Sequence, residues 1–197
     1  MIESREVIKL TMTKMKKTTS KGNPPDSVPK DFLEQLGEMH TGERELTIAL
    51  PLMVKAAKSK DLKDVLKIHL SQTKGHVKAL EAVAKNLNVT LPMKGCKGIT
   101  QLVGEGVRVI GKRLITANQD PELISVGRKI EDFEIDAYES LVATARREGY
   151  THETALLTST LNQEKMASEL LAGLAAGKGP LRKLVEKTSL KKAGARQ

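Results

Sequence analysis

The sequence contains very few aromatic residues and a single cysteine. Two Phe, two Tyr and no Trp make up 2 % of the 197 residues. A core with so few aromatics must be built mainly from Leu, Ile, Val, Ala and Met, which pack well between helices and less typically fill a β-sandwich. The lone Cys96 excludes an intramolecular disulfide and is a poor zinc signal. These absences favour an all-α protein in a reducing compartment.

The sequence also lacks a long hydrophobic run. No stretch approaches the about 18 apolar residues that a membrane-spanning helix needs, and residues 1–22 lack the apolar segment of a secretory signal. We therefore expect a cytoplasmic protein without a membrane partner.

The charge is unevenly distributed. The formal net charge is +9, a value that raises the question of a nucleic-acid or membrane partner. Residues 1–28 carry six basic and three acidic side chains, residues 178–197 carry seven and one, and residues 29–177 carry 20 of each. We predict a neutral folded domain at 29–177, preceded by a disordered basic arm and followed by a basic tail.

Apolar residues recur at three- and four-residue steps in four segments, which predicts four long helices. The predicted spans are 29–57, 62–88, 120–149 and 151–174. Pro51 lies inside the first span, where it removes one backbone hydrogen bond and should bend the helix. The short connections within each consecutive pair predict two antiparallel helix hairpins.

Residues 89–118 separate the two hairpins and contain a weaker helical pattern from Ile99 to Ile115. Two hairpins joined by one long crossover are typical of the ferritin-like four-helix bundle, here with an extra short helix in the crossover. An up-and-down bundle with short loops is the alternative, but it leaves the thirty-residue connection unexplained.

Each long helix places a carboxylate or an imidazole at the edge of its apolar stripe. These residues are His40 and Glu43 in the first helix, His69, Gln72 and His76 in the second, Glu131 and Glu134 in the third, and Glu164 in the fourth. Several carboxylates buried together repel one another and lose hydration, and bound cations would offset both costs. Carboxylate and imidazole ligands suit iron, manganese or zinc, and four helices with inward Glu and His side chains form di-iron and di-manganese sites.

Each of these residues also has a simpler interpretation. A single Glu at a stripe edge is more often a solvated side chain, and a single His is more often a hydrogen-bonded boundary residue than a ligand. The joint pattern on four helices is harder to explain in this way. If Glu43, Glu131, Glu134 and Glu164 share one interior, their repulsion predicts raised pKa values for all four, and removing Glu164 should then not destabilise the metal-free protein.

At these helices the sequence resembles the YciF-like family of ferritin-like proteins, a domain of unknown function associated with bacterial stress responses. The resemblance runs from Phe32 to Leu174 and rests on FLEQLGEMHTGERELTIALPLM, HLSQTKGHVKALE, KIEDFEIDAYESL and LNQEKMASELL. It implies a bundle that is often dimeric, a di-metal site and no assigned reaction. The family's site residues fall on Glu43, His69, Glu131, Glu134 and Glu164, and the sequence departs from the family pattern at His40, Gln72, Asp132 and Ser168.

The leading functional hypothesis is a di-metal carboxylate protein of the stress response, with two iron or manganese ions, that consumes peroxide or oxidises ferrous iron. Glu43, Glu134, Glu164, His69 and His76 are the expected ligands. Glu131 is expected as a ligand or as a support for one. One alternative is a non-catalytic helical scaffold whose polar residues form salt bridges. A second is a nucleic-acid-associated stress protein that binds weakly through its basic tails. The resemblance to the family leads us to expect a homodimer.

Overall fold

The computed structural model describes residues 28–112 and 118–177, which form five α-helices and no strand in those ranges. The helices are α1 (Lys30–Ala56), α2 (Lys60–Asn86), α3 (Lys97–Gly111), α4 (Asp120–Arg147) and α5 (Thr151–Ala175). The predicted all-α bundle with a short crossover helix is confirmed, and the four long helices lie within three residues of their predicted ends. The predicted arm and tail lie outside the described residues, except for Val28.

Contacts between helices establish the two hairpins. In the first, His40 of α1 lies beside Glu81 of α2, and Glu43 lies beside His76, so the two helices run in opposite directions. In the second, α4 and α5 are joined by only three residues, and Lys165 of α5 pairs with Glu139 of α4. Gly149 in this connection has a φ of 75°, a conformation that glycine adopts without steric cost.

The crossover returns the chain to the end of the bundle where α2 begins. The carboxylate of Asp120, the first residue of α4, accepts hydrogen bonds of 2.7 Å from the backbone N–H groups of Lys58 and Ser59. The Ser59 side chain in turn caps α2 by accepting from the Leu62 N–H. Because both helices start at this end, α2 and α4 run parallel, as a crossover connection requires.

Helix α3 packs along α1 and α4 through small residues that allow close approach. Gly98 lies against the Phe133 ring, and a Cβ atom added at Gly98 would come within 2.3 Å of it. The helix ends at Gly111, four residues before its predicted end. Glycine favours helix ends over helix interiors. The prediction considered only the spacing of apolar residues and did not include this preference.

The core consists of two apolar clusters that occupy the two ends of the bundle. One surrounds Leu50, Leu66 and Ile130, and the other surrounds Leu36, Leu80 and Leu157. The polar residues of the candidate site lie between them, at the middle of the four long helices. None of the described helices is long and apolar enough to cross a bilayer.

Candidate metal centre

All six residues predicted as metal ligands are buried in the polar layer between the two apolar clusters. Glu43, Glu134 and Glu164 are fully buried, and His69, His76 and Glu131 are at most 3 % exposed. They come from α1, α2, α4 and α5, so every long helix contributes at least one. Their placement follows from helical spacing, since His69 and His76 lie seven residues apart and share one face of α2.

These side chains form two groups that share one residue. The first group is His69, Glu131, Glu134 and Glu164, and the second is Glu43, His76 and Glu164. Within each group, one donor atom from every residue lies within 4.8 Å of the others. Glu164 directs a different oxygen to each group: Oε2 lies 3.8 Å from His69 Nδ1, and Oε1 lies 2.7 Å from His76 Nδ1.

Two neighbouring side chains hold the second group in place. The Tyr138 hydroxyl donates a hydrogen bond of 2.6 Å to Glu43 Oε1. His76 Nε2 lies 3.0 Å from Gln163 Oε1. A carboxamide oxygen only accepts hydrogen bonds, so Nε2 must carry a proton, and Nδ1 is the ring atom that faces Glu43 and Glu164.

The first group has fewer neighbours to satisfy it. Both oxygens of Glu134, both ring nitrogens of His69 and one oxygen of Glu131 are buried without a hydrogen-bond partner in the described part of the chain. His69 Nε2 lies 3.3 Å from Glu131 Oε1, but this contact lacks the alignment of a hydrogen bond. Buried polar atoms without partners are costly, and a cation among them would satisfy several at once.

Burial and mutual repulsion set the charge state of the carboxyl groups. Burial raises the pKa of Glu131 and Glu134 well above the usual value, and the nearby Glu164 carboxylate raises both further. Burial also raises the pKa of Glu43, although contact with His76 opposes it. Three of the four expected increases in pKa are therefore present.

Glu164 is the exception, and the expectation of a raised pKa for it is wrong. Burial raises its pKa, but the close contact with His76 and the charge of His69 outweigh that effect and lower it. The reciprocal effect acts on His76, where burial lowers the pKa but the Glu164 and Glu43 carboxylates raise it to about 10. His69 has a lowered pKa because burial disfavours its charged form. The sequence shows which residues share a face but not which two of them pair.

Other polar residues singled out in the sequence do not join either group. His40 is half-buried and contacts the exposed Glu81. Gln72 and Ser168 are also half-buried, and Asp132 is exposed. Sequence reasoning missed Gln163, whose only signal is its position beside Glu164 on a helix that faces α2.

A comparison with known protein families shows to which family this chain belongs. The model of a domain of unknown function, DUF892, matches residues 28–183. The chain belongs to this family. The matched segment contains all five helices and both groups of buried His and Glu side chains.

Several individual proteins resemble this member of the family. Protein YciF of Escherichia coli K12 is 28 % identical over 145 residues, which cover 73 % of this chain and 87 % of YciF. The crystal structure of that protein, described as a stress protein, superposes with a TM-score of 0.73 at 27 % identity, covering 78 % of this chain and 97 % of the other. YcfI of Rhodopseudomonas palustris superposes with a TM-score of 0.66 at 28 % identity, covering 72 % and 90 %.

A protein of Xanthomonas campestris pv. campestris shares the fold alone, with 17 % identity and a TM-score of 0.60 over 81 % of this chain and 96 % of the other. The resemblance to the YciF-like family that the sequence motifs indicate is thus confirmed. The family description assigns no reaction, so function must be argued from the buried residues.

Proposed function

We propose that this protein binds two metal ions, iron or manganese, between its four long helices and acts as a di-metal carboxylate protein in the stress response. One observation carries the proposal: Glu164 presents one oxygen to each of two donor groups. A carboxylate in that position would supply one ligand oxygen to each of two metal ions. The remaining donors divide between the two groups, with a histidine in each.

The donor chemistry fits these metals. Four carboxylates and two imidazoles form a set of hard oxygen and borderline nitrogen ligands, which suits Fe(II), Fe(III) and Mn(II), and no thiolate is present in either group. Two ions of +2 charge would also neutralise four buried carboxylates. A redox-active metal pair would exchange two electrons, the number that reduces one peroxide to water and also the number that two ferrous ions would release to dioxygen or peroxide when they are oxidised.

The scaffold alternative predicts that interior carboxylates are paired within the protein. Glu43 and Glu164 do have partners, but Glu134 has none for either oxygen among the described residues. A carboxylate that only stabilised the bundle would gain nothing from that position. The unpartnered Glu134 therefore favours metal binding.

Metal analysis of the purified protein tests the proposal. We expect about two iron or manganese ions per chain from cells grown with either metal, and a reduced content in Glu134→Gln. The matched control is Glu139→Gln on the exposed face of the same helix, which should keep the wild-type content. Wild-type protein that folds without bound metal in every supplement would contradict the proposal.

Two further assays would separate the candidate reactions. Ferrous iron added to the metal-free protein should be oxidised faster than in buffer if the site oxidises iron, and the loaded protein should consume hydrogen peroxide if it acts as a peroxidase or catalase. Glu134→Gln should lower whichever rate is present. The homodimer, the cytoplasmic location and a weak nucleic-acid contact through the basic tails stay predictions.

A further inference from the structure

The two donor groups differ in how much of their surroundings is already in place. The first group consists of one histidine and three carboxylates, and most of its donor atoms have no hydrogen-bond partner in residues 28–112 and 118–177. The second group has three members, and some of its donor atoms, including Glu43 Oε2 and His76 Nδ1, also lack a hydrogen-bond partner there. Two of its members are nevertheless held from outside by Tyr138 and Gln163, and no member that belongs to the first group alone has such a bond in the described residues. We therefore expect the two groups to bind metal ions with different affinities.

We propose that the two metal positions fill in a fixed order, and that Gln163 is a positioning residue for the second. This inference rests on the proposed function. An ion entering the first group meets three carboxyl groups and, apart from their protons, displaces no hydrogen-bond partner of Glu134 among the described residues, so this group fills first. An ion entering the second group must separate His76 Nδ1 from Glu164 Oε1, which lie 2.7 Å apart.

Gln163 determines whether the second group can accept an ion. Its Oε1 atom accepts the Nε2–H of His76, which fixes the ring orientation and leaves Nδ1 directed at Glu43 and Glu164. A partner on the far side of a ligating histidine typically changes metal affinity by about 10- to 100-fold. Among the described residues His69 has no such partner, because its two ring nitrogens face Glu131 and Glu164. The effect of Gln163 should therefore be confined to the second ion.

Titration of the full-length, chelator-stripped protein with Mn(II) tests the order, with free Mn(II) followed by its electron paramagnetic resonance signal. We expect one tight and one weaker ion per chain. Gln163→Leu should weaken the second ion by about 10- to 100-fold and leave the first unchanged. Gln163→Glu keeps an acceptor oxygen and should keep the second ion at wild-type affinity or tighter. Asn162→Leu, at the exposed neighbouring position, is the control and should match wild type.

A variant of the first group completes the assignment. Glu134→Gln should remove the tight ion and leave the weaker one, because Glu134 belongs to the first group alone. Two ions bound with equal affinity in wild type, or a Gln163→Leu variant that binds the first ion more weakly, would overturn the order while leaving the proposed function intact. A wild-type protein that binds no Mn(II) or Fe(II) would overturn both.

Discussion

His76 Nδ1 lies 2.7 Å from Glu164 Oε1, and this contact links α2 to α5 at the centre of the bundle. It changes the expected effect of removing Glu164. Repulsion among carboxylates argues that the metal-free protein should lose nothing, but the structure pairs Glu164 with a histidine whose pKa is about 10. His76 is therefore charged at neutral pH and depends on its carboxylate partners.

We predict that Glu164→Ala destabilises the metal-free protein by about 1–3 kcal/mol. Complete loss of a buried partner typically costs about 3–5 kcal/mol, and the smaller value reflects Glu43, which remains 3.4 Å from His76 Nδ1. Glu134→Gln removes a carboxylate without a partner in the described chain, so it should leave stability unchanged or higher. Urea unfolding with a chelator present measures both. Equal destabilisation by the two variants would contradict the ion pair between His76 and Glu164.

The metal-free protein should lose stability as pH rises from about 5 to 7. The pKa values of Glu131 and Glu134 lie well above 4.5, so the folded protein holds protons that the unfolded chain releases, and folding is favoured at lower pH. Below pH 4.5 the lowered pKa of Glu164 acts in the opposite direction. The contribution of His76 is complete below about 6.5 and is lost as pH rises through about 10. His69 has a lowered pKa and so opposes this trend below about 6.5, but the three carboxyl groups with raised pKa values, Glu43, Glu131 and Glu134, outnumber it.

Thermal melts with a chelator at pH 4.5 to 9 should therefore show a maximum near pH 5. The double variant Glu131→Gln, Glu134→Gln should show a flatter profile between pH 5 and 7. A wild-type midpoint that rises over this interval would mean that the two carboxyl groups do not carry raised pKa values.

Metal should reverse this pH dependence. Ligands must lose their protons to bind an ion, so stabilisation by Fe(II) or Mn(II) should increase from pH 5 to 7. Free metal at a hundred times the dissociation constant adds about 2.7 kcal/mol per site. Melts with Mn(II), under otherwise identical conditions, check the prediction. The same gain in Glu134→Gln would show that the ion binds elsewhere.

The two tyrosines form a matched pair for testing the hydrogen bond to Glu43. Tyr138→Phe removes the donor to Glu43 Oε1 and should destabilise the metal-free protein by about 1.5–3 kcal/mol, the value for bonds to charged groups. Tyr150 is also buried, but its hydroxyl has no partner in the part of the chain that the structure covers. Tyr150→Phe should leave stability unchanged or slightly higher. Chelator-treated urea melts distinguish the two.

Two glycines on helices should respond in opposite ways to alanine. At Gly98 the added Cβ would lie 2.3 Å from the Phe133 ring, so Gly98→Ala should destabilise by about 1–3 kcal/mol through overpacking. At Gly75 the added Cβ would meet no atom within 4 Å in the described residues, apart from its chain neighbours and the backbone of α2 itself, and Gly75→Ala should stabilise α2 by about 0.5–1 kcal/mol. Urea unfolding measures both variants. Gly98→Ala tests how closely α3 packs on α4, and Gly75→Ala on α2 is the control.

The sequence was sufficient to predict the helices and the residues of the polar layer, because apolar periodicity determines both which face of a helix is buried and which polar residues lie on it. His69, His76 and Glu164 were found in this way. Periodicity does not contain the distances between helices. It could not show that Glu164 is shared, that Gln163 orients His76, or that His40 contacts the surface residue Glu81.

Asp120 also determines how the ligand residues of α2 and α4 are aligned along the bundle. Its carboxylate joins the starts of α2 and α4, and from that level His69 lies ten residues beyond Ser59 while Glu131 lies eleven beyond Asp120. At 1.5 Å per residue these spacings are about 15 Å and about 16 Å along the two helix axes, so the two side chains lie at the same level of the bundle. One residue inserted into α4 between Asp120 and Glu131 would turn Glu131 by about 100° out of the interior. The spacing within these two helices, rather than the length of the crossover, keeps the ligands aligned.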